Sequence, residues 1–109
     1  MKLSEPAIIA AEKLTEYLLK WQPENDKSKF LERAGYTQAG WQQLADDIRN
    51  QIFSLDAGLI RKTPYGDMYE IRGSLTGPNG AKLKVVTIWM VEYKTQNAKF
   101  ITLYPDKED

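Results

Sequence analysis

The chain has 109 residues, 42% hydrophobic and 28% charged, which suits one compact domain with a single core. It holds no cysteine and no histidine, which sets aside disulfides, thiolate chemistry, a histidine general base and the usual zinc and haem sites. Net charge is formally zero, yet residues 1–60 carry 7 basic against 9 acidic side chains, while residues 61–105 carry 7 against 3. A basic second half suits a polyanion, although small domains also show such asymmetry by chance.

No apolar run approaches the roughly 20 residues of a membrane span. Glu5, Glu12 and Lys13 interrupt the N-terminal run, which argues against a signal peptide. The expectation is a cytoplasmic protein with no membrane partner and no cofactor or metal. The segment "PAIIA" (6–10) reads either as the first turns of a helix or as a short extended arm. In "AEKLTEYLLKW", Leu14, Tyr17, Leu18 and Trp21 recur at helical spacing and predict one apolar stripe, which Pro23 ends. Asp26 is placed to cap a helix "KSKFLERA", with Gly35 as its left-handed C-cap. Thr37 is placed to cap the next helix, in which Trp41, Leu44, Ala45, Ile48 and Ile52 keep the 3.6-residue period. Trp21, Trp41 and Trp89 read as core anchors.

After Asp56 the pattern turns strand-like. "GLIRKT", "MYEIRGSL", "KLKVVTIWMVEY" and "KFITLYP" are rich in β-branched and aromatic residues, and the short turns "TPYGD", "TGPNG" and "KTQNA" separate them. Connections this short make neighbours antiparallel. The predicted architecture is α+β: about three N-terminal helices packed on a four-stranded antiparallel meander sheet. It forms a single domain over 1–109, helical over 1–56, sheet over 57–105, with a charged tail at 106–109. Strict alternation puts Leu83, Val85, Thr87, Trp89 and Val91 on one face, and Lys82, Lys84, Val86, Ile88 and Met90 on the other. It also groups Phe100, Thr102 and Tyr104 against Lys99, Ile101 and Leu103. The loop "TGPNG" is followed by a strand rather than a helix, and Pro78 lacks an N–H. It therefore reads as a hairpin turn, with Gly80 at positive φ, and not as a phosphate cradle.

Six segments carry a resemblance: "YLL" at 17–19, "KSKFLERAGY" at 27–36, "YG" at 65–66, "LTGPNG" at 75–80, "TIW" at 87–89 and "ITLYP" at 101–105. In this order they resemble a family of small bacterial domains of unknown function. Its members look like products of two-gene, toxin–antitoxin-like operons or C-terminal modules of polymorphic toxins. The order of helices before an antiparallel sheet is similar to that of RelE, barnase and colicin-type ribonucleases, an analogy at the level of fold. What the resemblance implies is a metal-independent endoribonuclease in which the RNA 2′-hydroxyl attacks the adjacent phosphate. Lys27, Tyr65, Thr102 and Tyr104 are the matching polar residues. Lys99 stands where the family often has Arg, and Val86 where a basic residue is expected. Arg61, Arg72, Lys82 and Lys84 are the expected substrate-binding cations.

Each candidate has a plainer reading: Lys27 as a solvated lysine, Thr102 and Tyr104 as strand packing, and the arginines as a charged sheet edge. The alternative function is a non-enzymatic interaction module, such as an antitoxin, immunity-like or regulatory subunit. The zero net charge, the missing histidine and Val86 favour it. The expected partners are RNA and a neutralising protein encoded next to this chain.

Overall fold

The computed structural model describes residues 1–24 and 26–107; of the charged tail expected at 106–109, residues 108 and 109 lie outside them. A five-stranded sheet is ordered β1-β5-β4-β3-β2. Strands β2 (Ala57–Lys62), β3 (Gly66–Thr76), β4 (Lys82–Glu92) and β5 (Ala98–Pro105) form the expected antiparallel meander. The strand added to the expectation is β1 (Ala7–Ile8), which runs parallel to β5 and makes the sheet mixed. Two residues with no period of their own carry too little pattern to be read as a strand. They are fixed by the edge of β5, where Ala7 stands opposite Ala98.

The helical part also departs from a regular period. Lys13–Leu18 is wound as a π-helix, in which the Leu19 amide reaches the Leu14 carbonyl at 2.8 Å. The wider turn brings Leu14, Leu18 and Leu19 to the core and rotates Tyr17 and Trp21 outward, to 40% and 60% exposure. The stripe expected through Tyr17 and Trp21 is thereby corrected, and Trp21 is no core anchor. The short α1 (Ser28–Glu32) has Lys27 rather than Asp26 at its N-cap and is shorter than expected; Asp26, just ahead, accepts the amides of Ser28 and Lys29 and the Ser28 hydroxyl. The segment ends at Gly35, with φ of 91°, as the sequence requires. Thr37 accepts the Gly40 amide at 3.1 Å, closing the turn ahead of α2 (Trp41–Asp47), which continues as a π-helical segment Ile48–Ile52.

The helices cover one face of the sheet. Leu14, Leu18, Leu31, Leu44, Ile48 and Ile52 meet Ile71, Leu75, Val85, Trp89, Phe100 and Leu103, all buried. Trp89 is the centre of this core, with Phe53 at 5.0 Å and Phe100 at 5.4 Å between ring centroids. Such aromatic pairs add about 0.5–1.5 kcal/mol each beyond the area they bury. Its indole N–H donates to Thr87 Oγ1 at 2.8 Å, and the Thr87 hydroxyl donates to the Ile71 carbonyl at 3.0 Å. A buried polar pair is thus satisfied inside "TIW".

Tight docking of the glycine turn on the helical layer completes the frame. Gly80, at φ 87°, donates its amide to the Gly77 carbonyl, so "TGPNG" is a turn. The turn also packs on the end of α1: Asn79 donates its amide to the Ala34 carbonyl and its side-chain N–H to the Arg33 carbonyl. A Cβ on Gly77 would collide with the Ala34 carbonyl. Behind it, Tyr36 donates to Asp47 at 2.6 Å, and Gln51 bonds both the amide and the carbonyl of Thr76.

Candidate functional site

The other face of the sheet bears no helix across its middle, and a bulge decides which side chains reach it. Ile88 pairs with Thr102, but its neighbour Trp89 pairs with Phe100, so Ile101 is the extra residue in β5. A bulge shifts the alternation by one. Phe100 and Leu103 therefore both enter the core, while Thr102 and Tyr104 both stand on the open face beside Ile88 and Val86. The expected grouping of Phe100 with Thr102 and Tyr104 is corrected by that single inserted residue.

Cross-strand register sets the floor of the site. Arg72, Val86 and Tyr104 lie in one row across β3, β4 and β5, and Glu70, Ile88 and Thr102 in the next. Val86 is almost fully buried between its two neighbours. The position where a basic residue is expected thus carries the apolar floor of a groove.

That groove is built of adjoining concavities. One, of about 580 Å³, is lined by Arg72, Val86, Tyr104, Pro105, Asp106 and Lys107. The next, of about 450 Å³, shares Tyr104, Pro105 and Lys107 and adds Tyr17, Asp26 and Lys27. A more apolar one, of about 570 Å³, continues past Tyr17 and Thr102 to Ile101, Ala10 and Lys13.

At the junction, Lys27 Nζ donates to Tyr17 Oη at 3.0 Å and to Thr102 Oγ1 at 3.4 Å. Asp26 fixes the chain just before Lys27. Partial desolvation works against its ionisation, but the Ser28 hydroxyl and the amides of Gln22, Lys29 and Ser28 hold its carboxyl below the ordinary range. The hydrogen bond from Lys27 pulls the Tyr17 hydroxyl below its ordinary value, against a smaller effect of desolvation. The charge of Lys27, with Thr102 and Lys13, adds to this. An ammonium beside a phenol favours the phenol's ionised form.

The expected site residues separate into groups. Lys27, Thr102 and Tyr104 come together with Arg72 along the groove. Tyr65 does not join them: it is 76% exposed at the opposite end of the β3–β4 ladder, in a concavity with Tyr93, Glu92 and Thr95. Lys99 sits one row from Thr102, opposite Met90, and its ammonium is paired with Glu92 at 3.1 Å. Arg61 stands opposite Met68 on the edge strand β2, and Lys82 and Lys84 lie opposite Thr76 and Ser74 near the glycine turn. Tyr17 and Asp106 are the additions that the structure makes. Tyr17 lies within the "YLL" segment, but the assumed helical period assigned it to the core. Among the described residues, no three acidic side chains converge as a metal site, and no helix is long and apolar enough to cross a membrane.

The six segments of the resemblance explain themselves largely as frame. "RAGY" and "LTGPNG" pack on one another, Thr87 and Trp89 of "TIW" lie in the core, and Tyr17, Lys27, Thr102 and Tyr104 are the polar residues of these segments that line the groove. No curated protein and no solved structure matches the chain. The family model described as Domain of unknown function (DUF6883) matches residues 2–107. With nearly the whole fold inside that match, the chain belongs to the DUF6883 family.

Proposed function

We propose that the groove cleaves RNA without a metal, in a toxin-like cytoplasmic protein that a partner encoded beside it neutralises. The observation that carries this reading is the Lys27 ammonium bonded to both Tyr17 and Thr102 beside Tyr104 and Arg72. Transfer to the 2′-hydroxyl requires a base, a cation on the phosphorane oxygens and an acid for the leaving oxygen. Tyr17 is the base that takes the 2′-hydroxyl proton as the 2′-oxygen bonds to phosphorus. Lys27 holds the developing negative charge. The bond to the 5′-oxygen breaks, and Tyr104 supplies its proton. Thr102 positions Lys27.

Inducing the gene without its neighbour arrests growth and cuts RNA on this reading, and co-expression of the neighbour restores growth. Lys27→Ala, Tyr17→Phe and Tyr104→Phe each relieve the arrest and lower the cleavage rate about 100-fold or more, the usual scale for a lost acid or base. Because Tyr17 acts as a base with a lowered pKa, cleavage by the intact chain rises with pH and levels off below pH 10. Intact RNA across a pool of substrates, with no arrest, would remove the reading.

A second reading is a non-enzymatic interaction module. It draws on the half-buried Ile88 and Met90 at the middle of the open face, flanked by the paired charges Arg72–Glu70 and Lys99–Glu92. An apolar centre with a polar rim is the usual plan of a protein interface. Stoichiometric capture of one partner, unaffected by Lys27→Ala and Tyr104→Phe, favours this reading over the first.

A further inference from the structure

Asp106, directly after β5, keeps its amide on the Lys84 carbonyl in line with β4, and its carboxylate lies on the groove's arginine. Arg72 Nη1 donates to Asp106 Oδ1 at 3.0 Å, while its Nε meets Glu70 Oε1 at 3.4 Å. We propose that Arg72 is a phosphodiester subsite of the groove and that the Asp106 carboxylate occupies the phosphate position in the free protein. The subsite rests on the reading of the groove as an RNA site.

Three observations support it. A carboxylate and a phosphate present the same charged oxygen to a guanidinium, at the same distance and in the same plane. Arg72, Asp106 and Lys107 line one concavity with Tyr104, so a phosphate that replaced Asp106 would remain beside a second cation and a phenol. Displacement also needs little movement: the Asp106 amide donates to the Lys84 carbonyl at 2.9 Å, which keeps the backbone in line with β4 while the side chain turns aside. Glu70 differs in each respect. It is on the same strand as Arg72, stands opposite Ile88 one row away, and makes the longer contact.

Exposed ion pairs are weak. With Arg72 and Asp106 side chains 44% and 17% exposed, the carboxylate competes with a ligand without excluding it. Single-stranded nucleic acid therefore binds by putting one phosphate in place of the carboxylate on Arg72.

The test is binding of a short fluorescein-labelled single-stranded oligodeoxynucleotide, which has no 2′-hydroxyl and is not cut, to the full chain by anisotropy. Asp106→Asn is expected to tighten binding about threefold at low salt, the scale of an exposed ion pair. The slope of log K against log salt should stay the same, because the phosphate meets Arg72 in both proteins. Asp46→Asn, an equal charge change at an exposed position of α2, leaves both unchanged. Arg72→Gln weakens binding, and the double variant Arg72→Gln/Asp106→Asn binds like Arg72→Gln alone.

Equal effects of Asp106→Asn and Asp46→Asn, weaker binding by Asp106→Asn, or no binding by any variant each overturn the subsite. Cleavage of RNA with Asp106→Asn indifferent overturns the subsite alone. The expected binding pattern with RNA left intact overturns the ribonuclease reading and leaves the subsite standing.

Discussion

At the scale of single residues, Lys27 shows what the sequence carries and what it withholds. A short helix beginning near Lys27, with Asp26 ahead of it, is legible from "NDKSKF", although the sequence puts Lys27 inside the helix and the structure puts it at the cap. That Lys27 meets Thr102 is not legible, because 75 residues separate the two and no local pattern reports such a contact. Tyr17 was hidden for a different reason. Four apolar or aromatic residues at helical spacing read as a stripe, and only the wider π turn releases Tyr17 to the groove. Tyr36 gives a prediction at this scale. Burial first, then the hydrogen bond and charge of Asp47, push its hydroxyl well above the ordinary 10.0. A folded-state pKa above the unfolded value contributes stability that is complete below pH 10 and is lost as pH rises beyond it. Urea denaturation is expected to show stability falling above pH 10, with a shallower fall in Tyr36→Phe. That variant also loses about 1–3 kcal/mol at neutral pH, because Asp47 loses a donor.

At the scale of elements, the two glycine-marked segments "RAGY" and "LTGPNG" act as one joint. Each is legible alone, as a left-handed helix end and as a hairpin turn. Their contact through Ala34 and Asn79 is a tertiary fact with no local signal. Gly77→Ala is expected to cost about 1–3 kcal/mol or more, since the added methyl meets the Ala34 carbonyl, a backbone atom that cannot turn away. Gly80→Ala, where nothing crowds the Cβ, costs only the strain of positive φ, about 1–2 kcal/mol. Chemical denaturation of both variants checks the order. The bulge at Ile101 shows the same limit. The six-residue run "FITLYP" alternates well enough to suggest an unbroken strand. The register changed because Phe100 and Leu103 both had to reach the core around Trp89.

At the scale of the whole molecule, the α+β layering and the meander β2–β5 were legible from the change of period near Asp56. Of the fifth strand only an extended arm was legible, as one of two readings of "PAIIA", and its pairing with β5 was not. The N-terminal arm touches both sides of the sheet: Ala57 at the start of β2 donates its amide to the Met1 carbonyl, and Ala7 and Ile8 pair with β5. Leu3 and Ile9, each 8% exposed, anchor the arm in the core. Removing residues 1–8 takes away one buried leucine and uncovers the edge of β5. The expected loss is at least about 2 kcal/mol in urea denaturation, from the burial of that side chain alone. A concentration-dependent gain in mass by light scattering should accompany it, because an uncovered strand edge pairs with other chains.

The late position of β5 has a consequence for the order of events in the cell. Thr102, Tyr104, Pro105 and Asp106 all follow the other elements in the chain, and Tyr17 and Lys27 precede most of them. During synthesis the helices and the β2–β4 ladder emerge while half of the groove is still unmade. A nascent chain stalled before residue 98 would hold the lysine and the first tyrosine with nothing opposite them. The groove is complete only when translation has passed β5.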